Sequence, residues 1–291
     1  MSTTSPSPLT IRIPGPGQSL PVIFDSPHSG MEWPPDFRPA APRAAILTTW
    51  DAYVDELWAG APSHGATLLA ACFPRAYIDA NRAADDLDPA LLAAPWPGRL
   101  APTDYSRRGM GLIRHLALPG VPMYDRPLSV AEVQHRLATC YHPYRVALKS
   151  RLDALHAAHG AVWHINCHSM KSRGNGMNVD DGAPRPDIVV SDRNGRTAHP
   201  DFTRWTADWF AGCGFSVKIN EPYRGGDLVV THGDPAASRH SIQIEINRAL
   251  YLDEAACERG PRFAEMRGHL ESFARAVCEL ARERTAHRVV T

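Results

Sequence analysis

Apolar positions along the chain fall into two spacings. Short runs of aliphatic and β-branched residues bounded by turn formers read as strands at 21–26 (PVIFDS), 67–73 (TLLAACF), 162–167 (VWHINC), 187–191 (DIVVS), 216–220 (SVKIN) and 241–247 (SIQIEIN). Between them, three- and four-residue spacing predicts helices at 51–59, 202–211 and 254–284, and a longer one from Ser129 to about His159. Ser129 and Glu132 form a capping box at its start, Gly160 stops it, and Pro143 kinks or splits it. Strands alternating with helices imply a layered α/β domain with helices on both sheet faces. Residues 1–19, rich in Ser, Thr, Pro and Gly, read as an irregular lead-in to a single domain over 20–291. The Pro-rich, weakly periodic interval 85–125 reads as an excursion around a site.

Composition narrows the function classes. The 291 residues are 44% hydrophobic and 21% charged, ordinary for a globular enzyme-sized chain. Lys plus Arg and Asp plus Glu are 31 each, which argues against a broad nucleic-acid or anionic-membrane partner but permits a local basic pocket. Six cysteines without a CxxC read as reduced thiols. The start MSTTSPSPLT lacks a basic and then apolar leader, and no apolar run approaches the ~20 residues of a membrane span, so a cytoplasmic location is expected. Absence of GxxxxGK[ST], GxGxxG and GxSxG removes the common nucleotide-binding and serine-hydrolase readings.

The candidate chemistry lies at strand ends, where open α/β sheets bind ligands. DSPHSG puts His28 in a tight turn closed by Gly30, and VWHINCHSM repeats the pattern with His168. Taken singly, each could be a turn histidine; two His-Ser turns at two strand ends point to a metal, because imidazole is the commonest zinc ligand. His164 shares a face with Asn166 and His168 by the two-residue period and reads as a buried, hydrogen-bonded histidine. A carboxylate should complete the set, and Asp51 is favoured over Glu32, which sits in a Trp-Pro-Pro loop. In SIQIEINR one face is uniformly Ile and the other Gln243, Glu245 and Asn247. That pattern fits a solvated edge, but one carboxylate between two amides better suits a glutamate poised to move a proton of water. Arg82 and Arg248, with Asn81, are candidates to bind a small acidic substrate through its carboxylates. Arg82 could instead pair with Asp85, Asp86 or Asp88. The Gly225-Gly226 loop at 221–235, with Arg224 and His232, could close over a ligand.

Taken together, DSPHSG, WDAYVDEL, FPRAYIDANRAADDLDP, VWHINCHSM, NEPYRGGD and RHSIQIEINRALYLDE resemble the N-formylglutamate amidohydrolase family. The resemblance implies a three-layer α/β/α, zinc-exopeptidase-like fold with a mixed central sheet. It implies one Zn2+ ion and hydrolysis of N-formyl-L-glutamate to formate and L-glutamate, a last step of histidine degradation. It also sets Glu245 at the position of the catalytic glutamate; separately, Arg224 or another cation is a candidate to help steady the oxyanion. The related zinc carboxypeptidases use His-x-x-Glu; the spacing from His28 to Glu32 is one residue longer, which moves the ligand carboxylate to Asp51. Alternatives are a zinc deacylase acting on another N-acyl amino acid and a carboxylate-binding protein without catalysis.

Overall fold

A computed structural model describes residues 7–286. Its centre is a seven-stranded sheet built from β1 (Leu9–Arg12), β2 (Val22–Ser26), β3 (Thr67–Ala71), β4 (Val162–Met170), β5 (Ile188–Ser191), β6 (Val217–Ile219) and β7 (Arg239–Asn247). Their spatial order is β1-β3-β2-β4-β7-β5-β6. The inner strands β3, β2, β4 and β7 are parallel, β1 is antiparallel to β3, and β5, itself parallel to β6, is antiparallel to β7. The sheet is therefore mixed.

Two cores sandwich this sheet, giving three layers. On one face Phe24, Ile165, Ile244 and Ile246 pack under the helices α3 (Pro200–Gly212) and α4 (Phe263–Ala286), through Phe210, Phe273 and Val277. On the other face Ile23, Leu69 and Val162 meet Val133 of α1 (Val130–Arg136) and Tyr144, Leu148 and Leu152 of α2 (His142–His159). β4 is buried along all nine residues because both faces are covered, so its sequence runs without a solvent side. The capping box forms as expected: Glu132 N–H donates to Ser129 Oγ at 3.2 Å, and Ser129 N–H to Glu132 Oε2 at 2.8 Å. A π-helical turn at Leu137–Tyr141 precedes α2, Pro143 stands in its first turn, and Gly160 ends it at φ 69°.

Three expectations needed correction. Within the stretch 1–19, Leu9–Arg12 is a strand rather than irregular; it pairs through its backbone with β3, while Ile11 stays 45% exposed, so burial left little signature. The helix expected from 254 begins at Phe263. Before it, Asp253 accepts from the N–H groups of Ala255 and Ala256, and the turn closes a small hairpin, Leu252–Asp253 with Glu258–Arg259. The helix expected at 51–59 is one turn, Val54–Leu57, which leaves Asp51 outside it. Among the described residues no helix is long and apolar enough to cross a membrane.

Candidate metal centre and active site

Register places the site. His164, Asn166 and His168 of β4 stand opposite Ser241, Gln243 and Glu245 of β7, and Asn166 stands opposite Asp25 of β2. In parallel pairing, opposed residues share a face, so the polar side chains of three neighbouring strands line up on the α1–α2 side. At its carboxyl end this row meets the turn after β2. There Ser26 Oγ–H donates to Ser29 Oγ at 2.9 Å, and Gly30 lies so close to the chain leaving β3 that a Cβ would sit 2.3 Å from the carbonyl carbon of Cys72. Trp50 Nε1–H donates to Ser29 O at 2.7 Å, and Asp51 N–H to His28 O at 3.2 Å, which ties Asp51 to the same turn.

His28, Asp51 and His168 come together as a buried group whose ligand atoms lie within 4.8 Å of one another. The outer nitrogen of each imidazole is occupied. His28 Nε2 lies 2.7 Å from Asp79 Oδ1; a carboxylate there only accepts, so His28 carries its proton on Nε2 and a lone pair on Nδ1. Asn166 donates its amide to Asp25 at 2.9 Å, so its Oδ1 accepts from His168 Nε2 at 2.7 Å. Both Nδ1 atoms then face Asp51 Oδ2, at 3.4 Å from His28 and 2.9 Å from His168, and the Nδ1 of His28 has no hydrogen-bond partner. Two lone pairs and a carboxylate oxygen converging in a dry site repel unless a proton or cation lies between them. The donor set therefore fits a metal ion, and Asp79 and Asn166 hold the imidazoles in the ligating tautomer. Burial opposes charge on Asp51, yet the imidazoles of His168 and His28 and the guanidinium of Arg75 beside it hold its pKa well below the ordinary carboxylate range. Glu32 is exposed, beside Cys72 and outside this group.

Glu245 lies 7% exposed in the wall of the same cavity, its Oε1 accepting from Gln243 Nε2 at 2.8 Å. Burial raises its pKa, Asp51 adds to the rise, and the charges of His168, Arg75 and Arg185 act against it. β7 is a central strand, so its polar face is turned to this cavity and not to bulk solvent.

The arginines sort differently from the sequence expectation. Arg248 has three of its five N–H groups engaged: Nε donates to Ser169 Oγ at 3.0 Å, Nη1 to Thr48 O at 2.9 Å and Nη2 to Asp51 Oδ1 at 2.9 Å. It braces Asp51. Asn81 is likewise engaged: its amide donates to Asn166 Oδ1 at 3.1 Å, and its Oδ1 accepts from Leu228 N–H at 2.9 Å, though it still borders the cavity. Arg82 stacks on Tyr105 at 3.9 Å, with Asp79 rather than Asp85, Asp86 or Asp88 as its nearest carboxylate, 4.0 Å from Nε. Arg224 is exposed at the cavity mouth. His232 is not at the cavity; it is buried beside the ring of His164. Sequence reasoning missed Arg75, which pairs with Asp79 at 2.8 Å, and Arg114, both in the cavity wall. Residues 75–79 lie in a turn rather than a helix, so the four-residue spacing of Arg75 and Asp79 was not a readable signal.

Deeper in the row, His164 bridges Ser241 Oγ at 2.7 Å and Asp25 Oδ1 at 2.6 Å, the composition of a serine-hydrolase triad. All three are at most 1% exposed and Tyr144 also donates to Asp25, so this network supports the sheet and reaches no substrate.

Comparison with known proteins resolves the class as amidohydrolase. Residues 20–252 match the family described as N-formylglutamate amidohydrolase, and the chain belongs to that family. The crystal structure of N-formylglutamate amidohydrolase from Ralstonia eutropha JMP134 is similar at a TM-score of 0.89 and 39% identity, over 95% of this chain and 99% of that one. N-formylglutamate deformylase of Pseudomonas aeruginosa is 27% identical over 241 residues, 81% of this chain and 84% of its own. Gene product Atu2144 from Agrobacterium tumefaciens shares the fold at a TM-score of 0.60 and 17% identity, over 98% of this chain and 97% of that one.

Proposed function

We propose that this chain hydrolyses N-formyl-L-glutamate to formate and L-glutamate with one zinc ion held by His28, Asp51 and His168, the reaction the family resemblance sets at the end of histidine degradation. The observation that carries the reading is the convergence of two imidazole lone pairs and Asp51 Oδ2 beside the buried carboxylate of Glu245. The names of the relatives support the substrate. An all-nitrogen-and-oxygen set of two imidazoles and one carboxylate suits zinc with an open position. When bound, the ion would supply Lewis-acid polarisation of the formyl group and of the attacking water.

Glu245 accepts one proton from that water as its oxygen attacks the formyl carbon. It returns the proton to the amide nitrogen as the C–N bond breaks, so formate and the free amino group leave together. Its burial-raised pKa suits both halves of this exchange, because a base nearer the working pH gives its proton back more readily. Gln243 fixes the carboxylate rotamer. Arg82 and Arg224 flank the approach, Arg224 placed to steady developing negative charge. The lobe next to the metal group, about 110 Å³, suits a small acyl amino acid rather than a polymer.

The test is formate release from N-formyl-L-glutamate by metal-quantified protein, before and after chelation and zinc restoration. Release that is lost on chelation and restored by zinc is expected; bound zinc with no release would overturn the substrate. Glu245→Gln should retain zinc and lose turnover by about two to four orders of magnitude; full activity would refute the role of Glu245.

A further inference from the structure

A second lobe of about 90 Å³ adjoins the cavity at the metal-binding group and shares Arg75, Arg114, Ser169 and Tyr223 with it. Five cationic side chains and no acidic one line this lobe. Three of the five are already paired: Arg75 with Asp79 at 2.8 Å, Arg185 with Asp180 at 2.7 Å, and Arg248 with Asp51 at 2.9 Å. Arg114 and Lys171 are left over. Neither has an ion pair or a side-chain hydrogen bond among the described residues, and Arg114 is 7% exposed with its Nε buried and unpartnered. Burial and the charge of Arg75 lower Arg114 to about 9, and burial with the charges of Arg248 and Arg114 lowers Lys171 to about 8. A buried guanidinium without a counter-ion is destabilising on its own account, and an anion in the lobe would relieve it.

We propose that Arg114 and Lys171 form a carboxylate subsite that binds one carboxylate of the substrate and selects N-formyl dicarboxylates over neutral N-formyl amino acids. This rests on the hydrolase reading above. The lobe has room for a carboxylate and a short methylene stem, and its uncompensated charge is the complement of such a group. Arg114 lines both lobes, so it marks where the substrate passes from the reacting end to the recognised end. A neutral amide in the same place would leave the two cations unpaired, and sites of that kind discriminate strongly.

The experiment compares kcat/KM of the zinc-loaded enzyme on N-formyl-L-glutamate, N-formyl-L-glutamine and the α-amide of N-formyl-L-glutamate. Wild type should be at least about a hundredfold poorer on the amide that removes the recognised carboxylate. Arg114→Met should lose at least about a hundredfold on N-formyl-L-glutamate and little on that amide, so the discrimination collapses. Lys171→Met should act in the same direction, and Arg114→Lys should keep part of the preference. A loss of equal size on all three substrates would place Arg114 at the formyl group and overturn the subsite, as would an unchanged ratio. Should wild type release formate from none of them, the hydrolase reading fails while the subsite remains testable by calorimetry. Glutarate should then bind wild type at least about tenfold more tightly than either Met variant; equal binding would overturn the proposal. Removing an unpaired buried charge should not lower the melting temperature of Arg114→Met; a variant that fails to fold leaves Lys171→Met to decide.

Discussion

Replacing Arg248 separates a brace from a substrate ligand. In Arg248→Met three hydrogen bonds disappear, to Ser169 Oγ, Thr48 O and Asp51 Oδ1. The last matters most, because Asp51 is 1% exposed and its Oδ1 would keep only Arg75, 3.7 Å away. Breaking a buried charge pair by deleting one partner costs about 3–5 kcal/mol, and methionine's packing returns a little of it. For a chain of this size that corresponds to a fall in melting temperature on the order of 5–8 °C in the metal-free protein. The second consequence is at the metal. Losing an outer hydrogen bond that aims a ligand weakens metal binding by about 10–100-fold. The assay is zinc competition against a chelating dye, with melting curves and steady-state kinetics at saturating zinc. Lower zinc affinity with an almost unchanged KM ratio between N-formyl-L-glutamate and its amides is expected. Unchanged zinc affinity together with a selective rise in KM for N-formyl-L-glutamate would show that Arg248 binds substrate, and would refute the brace.

Other perturbations test neighbouring links. Asp79→Asn weakens the acceptor that keeps the proton of His28 on Nε2, so zinc affinity should fall about 10–100-fold in the same competition assay. Gly30→Ala would put a Cβ 2.3 Å from the backbone of Cys72, which cannot yield as a side chain could; the displaced turn should cost about 1–3 kcal/mol in denaturant unfolding and reduce zinc uptake through His28. Lys171 supplies a pH test. Its ammonium is held to about 8 in the folded protein against an ordinary 10.5, so the cation that attracts a carboxylate is present below about 8 and lost as pH rises through it. KM for N-formyl-L-glutamate should therefore climb above about pH 8, and Lys171→Met should remove that limb; a limb of the same size in the variant would refute the assignment. For stability the sign is opposite. The unfolded chain binds the extra proton between about 8 and 10.5, so the destabilisation due to Lys171 is complete below that window and eases across it.

Much of the fold was legible because burial wrote it into the sequence. β2, β3, β4, β5 and β7 are buried along nearly their whole length, and such strands show as compact apolar runs. β1 carried no such mark, since its side chains are largely exposed and only its backbone is paired. The two-residue period gave the shared face of His164, Asn166 and His168, and the Ile alternation in β7 gave the opposite orientation of Glu245. Periodicity does not encode which donors are already satisfied. Arg248 was recognised as a strand-end arginine, but the short turn Arg248–Leu250, fixed by Asn247 Oδ1 accepting from Ala249 N–H, aims it at Asp51, 197 residues earlier. Arg114 comes from the aperiodic interval 85–125, whose proximity to a site was readable but whose side-chain directions were not.

The distribution of charge around the cavity carries the functional argument further than the motifs do. A protein built for stability alone would match each buried cation to a carboxylate or replace both with apolar side chains. Here two of the matched pairs, Arg75 with Asp79 and Arg248 with Asp51, serve the group formed by His28, Asp51 and His168, while Arg185 with Asp180 lies outside it. The unmatched cations, Arg114 and Lys171, line the neighbouring lobe, which contains no acid, and Arg114 also borders the metal-binding half. Pairing therefore divides the site into a half that organises a metal and a half left in electrostatic deficit. A ligand that carries a reactive amide at one end and a carboxylate at the other would satisfy both halves at once, and one lacking the carboxylate would satisfy only the first. That asymmetry, rather than the presence of basic residues as such, is why the carboxylate-to-amide comparison is the decisive measurement of specificity.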